Sequence, residues 1–69
     1  MTHSDRVRES YLKFEKLLKE RGLTAYQVSK ETGIATSTLT EWRKGSYRPK
    51  LEKMAILANY FGVPLEYFV

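Results

Sequence analysis

The run TSTLTEWRK, residues 36–44, concentrates side chains able to donate and accept hydrogen bonds: Thr36, Ser37, Thr40, Glu41 and Lys44. With no cysteine and one histidine, His3, in the whole chain, these groups form no plausible Ser/His/Asp constellation, metal cluster or Gly-rich phosphate loop. Their chemistry is recognition by hydrogen bonding rather than catalysis. A helix turns once in about 3.6 residues, so Ser37, Thr40, Glu41 and Lys44 gather on one side with Thr36 at their N-terminal flank. Leu39, Trp42 and Ala35 share the opposite side. The element required is a short helix, anchored by its apolar stripe and presenting small hydroxyls outward.

Glycine and proline punctuation divides the chain into five segments, all reading as helix. The first covers residues 4–21, where Val7, Tyr11, Phe14, Leu17 and Leu18 recur at three- and four-residue spacing. Its other face is charged, with Glu9–Lys13 and Glu15–Lys19 at i,i+4 as a solvated surface. Residues 1–5 are expected to be a mobile arm carrying His3. Thr24 and Gln27 match a capping box, so a second helix starts at Thr24 and stops at Gly33. The third spans residues 36–44 and stops at Gly45. Pro49 opens a fourth, to about residue 60, expected to bury Leu51, Met54, Leu57, Ala58 and Phe61. Pro64 starts a last short segment, LEYFV.

The second and third helices, joined only by Gly-Ile-Ala, must cross steeply, as in a helix-turn-helix at residues 24–44. Val28, Ile34, Leu39 and Trp42 supply apolar anchors for that crossing, and Ser29 the small residue. With 69 residues, 8.1 kDa, 42% hydrophobic and 29% charged composition, the chain is expected to be one small globular domain, residues 1–69. No apolar run spans a bilayer, and MTHSDRVRES lacks the apolar stretch of a secretion signal, so an intracellular, cytoplasmic location is expected. The absence of cysteine excludes a disulfide framework, and no motif calls for a cofactor, metal or small-molecule ligand.

The formal net charge is +4 and the pI about 9.5. From Met1 to Trp42 there are seven Lys/Arg against six Asp/Glu, whereas Arg43, Lys44, Arg48, Lys50 and Lys53 face only Glu52. The basic excess directly follows the hydroxyl-rich helix. Short hydroxyls let a helix backbone approach the DNA major groove, where they bond base edges and offer methyls to thymine. The basic segment, with Tyr47 and the amides near Gly45 and Ser46, is placed for flanking phosphates.

From Gly22 to Val69 the sequence resembles the phage-repressor-type (XRE/Cro, lambda-repressor-like) helix-turn-helix family. The resemblance is carried by GLT at 22–24, the Gly33 turn, STLTEW at 37–42, KG at 44–45, RP at 48–49 and LANYFGV at 57–63. It implies a compact all-α domain of five helices and a third helix that reads operator DNA. It also implies a homodimer, joined near the last helix, on an inverted repeat of double-stranded DNA. By position, Thr36, Ser37, Thr40 and Glu41 match base-facing residues, and Arg43, Lys44, Ser46, Tyr47 and Arg48 the phosphate-facing loop. Lys50 joins them on charge and place. Where the family often has a phosphate-binding Gln, this chain has Ala25, with Gln27 two residues on as the candidate phosphate contact. Ala35 and Lys50 replace capping Ser or Thr residues, and Ser29 replaces an Ala at the crossing. Thr36 or Ser37 is the substitute cap for the third helix.

Glu41 has two roles open to it: accepting from cytosine N4, or pairing with Lys44 or Arg48. The spacing of Trp42 from Leu39 assigns it to the core rather than to a base. The apolar tail, Tyr60, Phe61, Val63, Leu65, Tyr67, Phe68 and Val69, has to cover Tyr11, Phe14 and Leu18, with any remainder forming a dimer contact. The resulting expectation is a bacterial or phage-type transcriptional repressor. The alternatives are an antitoxin or adaptor that docks a protein on the C-terminal turn, and the DNA-binding fragment of a longer regulator.

Overall fold

A computed structural model describes residues 3–68, with side chains from residue 5 onward. The described residues form α1 (His3–Arg21), α2 (Ala25–Thr32), α3 (Thr36–Lys44), α4 (Leu51–Phe61) and a 3-10 turn (Leu65–Tyr67). The all-α expectation holds, but there are four helices and a turn rather than five helices. After Pro64 the chain closes only i→i+3 bonds, Tyr67 N–H to Pro64 O at 3.0 Å and Phe68 N–H to Leu65 O at 3.1 Å. This tighter winding swings Phe68 back into the core, at 1% exposure.

Local chemistry sets the helix ends. At α2 the Gln27 N–H donates to Thr24 Oγ1 at 3.1 Å while Thr24 N–H donates to Gln27 Oε1 at 2.8 Å. Gly33 and Gly45 bracket α3 with φ of 79° and 82°, left-handed values strained for residues with a Cβ. The arm expected at residues 1–5 is helical from His3 onward, and Met1 and Thr2 lie outside the described residues. Asp5, in the first turn of α1, suits the positive end of the helix.

α1 packs mainly against α3, α2 against α3 and α4, and the 3-10 turn against α4. Trp42 is fully buried at the centre of an aromatic cluster, with Phe14 at 5.1 Å, Tyr11 at 5.6 Å and Phe68 at 6.2 Å between ring centroids. Its indole N–H donates to Ser10 Oγ at 2.8 Å, and the Ser10 hydroxyl donates to Val7 O at 2.8 Å. The indole that anchors α3 is thereby fixed to α1. Two longer-range ties hold α4: Arg21 Nη2 donates to Phe61 O at 2.8 Å, and the Tyr60 hydroxyl to Glu31 Oε2 at 2.9 Å.

Leu51, expected in the core, is 62% exposed. It is the first residue of α4, and helical Cβ atoms tilt toward the N-terminus, which directs it back over the Arg48–Pro49 loop. There Arg48, Pro49, Leu51 and Met54 line a shallow surface depression. The described part of the tail packs within the chain: Phe61 and Phe68 are buried, and Tyr60, Val63, Leu65 and Tyr67 are half-buried against the core. Val69 lies outside the described residues. No helix among the described residues is long and apolar enough to cross a membrane.

Ser10→Ala should leave the Trp42 N–H buried without an acceptor and destabilise the domain by about 1–3 kcal/mol. The urea midpoint measures this, and an unchanged midpoint would show that the bond contributes nothing. Tyr60 has its pKa raised above the ordinary 10.0 by loss of hydration, then by the hydrogen bond to Glu31 and that carboxylate's charge. The folded state therefore holds this proton more tightly than the unfolded chain, giving stability that is complete below pH 10 and lost as pH rises through the folded value. Tyr60→Phe should flatten the fall of melting temperature above pH 10; an equally steep fall in wild type and variant would refute this linkage.

Candidate nucleic-acid interface

The crossing of α2 and α3 is held by hydroxyls. Ser29 Oγ donates to Ile34 O at 2.5 Å, Thr32 Oγ1 donates to Val28 O at 2.7 Å, and Ile34 N–H donates to Thr32 Oγ1 at 3.3 Å. Ser29 is thus more than a small residue at a tight approach, because it satisfies a turn carbonyl that alanine would leave to water. Ile34, at 1% exposure, plugs the turn into the core. Sequence reasoning assigned Ser29 only its size and Thr32 nothing; the five-residue step from Ser29 to Ile34 was the available signal.

With Leu39 and Trp42 buried, the other side of α3 faces outward. Thr36, Ser37, Thr40 and Lys44 are exposed, and Glu41 is half-buried. Ala35 is the N-cap residue, with φ −61° and ψ 140°, and makes no side-chain cap. Thr36 and Ser37 do not replace that cap, since both lie inside the helix. Their hydroxyls stay outward. Ala35 itself is exposed rather than on the apolar stripe, because it precedes the helical turns that define the stripe.

At its C-terminal end the face joins the basic loop. Glu41 Oε1 accepts from Ser46 Oγ at 2.9 Å, and Glu41 Oε2 lies 3.5 Å from Lys44 Nζ. Of the roles open to Glu41, pairing with Lys44 is the one realised. Lys44 is 61% exposed at its side chain, so the pair is screened and contributes little to stability. Ser46 N–H donates to Glu41 O at 3.2 Å, which folds the loop onto the end of α3. Tyr47, Arg48 and Lys50 follow on exposed backbone, with Pro49 buried between the last two.

Two expected contacts are placed differently from the rest. Gln27 sits in the α2 capping box, where its oxygen also accepts from Thr24 Oγ1 at 3.2 Å, leaving only its amide hydrogens for another partner. Arg43 is exposed on the flank toward α1, near enough to Tyr11 that its charge opposes the rise of the Tyr11 pKa. Burial is the main cause of that rise, followed by the Glu15 carboxylate. Ser37, Thr40, Glu41, Lys44 and the 46–50 loop therefore form one continuous surface, with Thr36 and Arg43 at one flank.

A family described as Helix-turn-helix matches residues 14–68, from the middle of α1 to the end of the 3-10 turn. The chain belongs to the phage-repressor-type helix-turn-helix family. It is also similar to the cryptic phage CTXphi transcriptional repressor RstR of Vibrio cholerae, 36% identical over 53 residues. That alignment covers 77% of this chain and 48% of the relative, so the chain spans about half the relative's length. No solved structure matches. Within this helix-turn-helix chain, α2, the Gly33–Ala35 turn and α3 form the motif, and the half of α1 before Phe14 lies outside the matched region. That outer half nevertheless supplies Ser10, the hydrogen-bond acceptor for the motif's Trp42.

Because α3 lacks a side-chain cap, Ala35→Ser should stabilise the domain by about 0.5–1 kcal/mol. A thermal melt reads this directly, and an unchanged melting temperature would mean that water already serves the first-turn amides as well as a hydroxyl.

Proposed function

We propose that this chain is a sequence-specific DNA-binding transcriptional regulator, a repressor that occludes a promoter by placing α3 in the major groove of an inverted-repeat operator. The observation that carries this reading is the outward face of α3. Thr36, Ser37 and Thr40 are exposed, with no hydrogen bond among the described residues drawing their hydroxyls inward, beside a loop bearing Arg48 and Lys50. Membership of the family and similarity to a phage transcriptional repressor support it.

Ser37 and Thr40 read base edges, Thr36 touches the groove wall, and Glu41 accepts from a cytosine amino group when Lys44 turns to a phosphate. Arg43, Lys44, Ser46, Tyr47, Arg48 and Lys50 hold the backbone, and the Gln27 amide hydrogens face a phosphate beside α2. Two copies bind half-sites about 34 Å apart. Leu51 at 62% and Ile56 at 39% exposure leave apolar surface on the C-terminal helix α4 for contact between the copies. The protein acts in the cytoplasm, where such operators are found.

Selection from randomised duplexes, followed by salt titration of the winner, tests the proposal. A two-fold-symmetric site bound far more tightly than random DNA is expected, and enrichment of no site would refute base reading by α3. Thr40→Ala should change the selected sequence, whereas Arg48→Ala should weaken binding to every duplex and reduce the log–log salt slope by about one unit. Equal effects of both variants on every sequence would refute this division between reading and holding.

A further inference from the structure

The outward side of α2 carries a pair that none of the roles above uses. Tyr26 is 62% exposed, and Lys30, one turn later, places its ammonium 5.5 Å from the Tyr26 ring centroid. Neither residue helps to build the core. Their neighbours on α2 are otherwise engaged: Ala25 has no polar side chain, the Gln27 oxygen is held in the capping box, and the Glu31 carboxylate is bonded to Tyr60 on α4. With Glu31 drawn to α4, no carboxylate among the described residues forms an ion pair with Lys30, and α2 has no acid in its first turn. On the exposed side of α2 the phenol and the cation are thus held together, beside the exposed Gln27 and Glu31.

We infer that Tyr26 and Lys30 form a DNA-phosphate anchor on α2, resting on the reading of α3 as the groove-binding helix. In a helix-turn-helix docked by its second helix, the first helix crosses the sugar–phosphate backbone. A phenolic O–H donates a neutral hydrogen bond to a phosphate oxygen, and the ammonium adds a point charge at the same strand. Contact between the cation and the ring keeps both groups on one side of the helix, reducing the side-chain freedom lost on binding. The pair serves where Ala25 cannot, and fixes the height of α3 in the groove without reading any base.

The test uses the full chain, with the selected operator and a random duplex as probes, at several salt concentrations. Tyr26→Phe keeps the ring and removes only the hydroxyl. It should weaken binding to both duplexes by about tenfold, the scale of one hydrogen bond to a charged group, with the salt slope unchanged. Lys30→Gln should also weaken both and reduce the slope by about 0.9, the value for one phosphate released. Unfolding midpoints of both variants should match wild type, because both side chains lie outside the core. Wild-type affinity and slope in both variants would overturn the anchor while leaving operator binding intact. Failure of the wild-type chain itself to select any site would remove the reading of α3, and the anchor with it.

Discussion

The hydrogen bond from the Trp42 indole to Ser10 is the constraint on which the remaining geometry depends. A fully buried indole needs a partner for its N–H, and the bond to Ser10 that supplies one fixes the rotation of α3 about its own axis. Once that rotation is set, Leu39 must point inward and Ser37 and Thr40 outward. Phe14, Tyr11 and Phe68 then close around the indole, so a polar contact specifies the packing of an apolar core. The outward face of α3 is in this sense decided on α1, by a residue 32 positions before Trp42 in the chain.

Around that centre the molecule separates fixing from presenting. The α2–α3 crossing is tied by Ser29, Thr32 and the left-handed Gly33, and the end of α3 by Gly45 with Ser46 bonded to Glu41. These short bonds hold the two ends of the motif, while the side chains of Ser37 and Thr40, in the middle of the outward face, make no hydrogen bond among the described residues. The link from Ser46 to Glu41 joins the loop to the helix, so a shift of the loop is felt at a side chain on the outward face of α3.

Local features of the chain were legible in its sequence, and features made by distant segments were not. The Thr24–Gln27 cap, the helix-ending glycines and the span of α3 depend on neighbours within a few residues, so pattern alone located them. Trp42 was assigned to the core from its spacing to Leu39. Its bond to Ser10 joins residues 32 apart, and Arg21 to Phe61 joins residues 40 apart, separations no local pattern encodes. Ser10 did leave a trace, since with Val7, Tyr11 and Phe14 it completes an i, i+3, i+4, i+7 stripe and is the one polar member. Leu51 misled because periodicity ignores where a helix begins, and the final segment because five residues with helical composition do not reveal how tightly they wind. For the interface, the hydroxyl face, the basic loop and the Gln27 cap were visible in sequence, whereas the bond from Ser46 to Glu41 crosses the turn at Gly45 and follows no helical periodicity.

The exposed hydroxyls of α3 have a consequence for how such a protein changes over time. Ser37 and Thr40 are exposed on α3, so exchanging them leaves the melting behaviour nearly the same, and on the proposed reading of that face it changes what is recognised. On that reading a lineage drifts from one operator to another through a handful of codons, each intermediate still a folded protein. The tryptophan side of the same helix is held by packing, and the other side is free to vary.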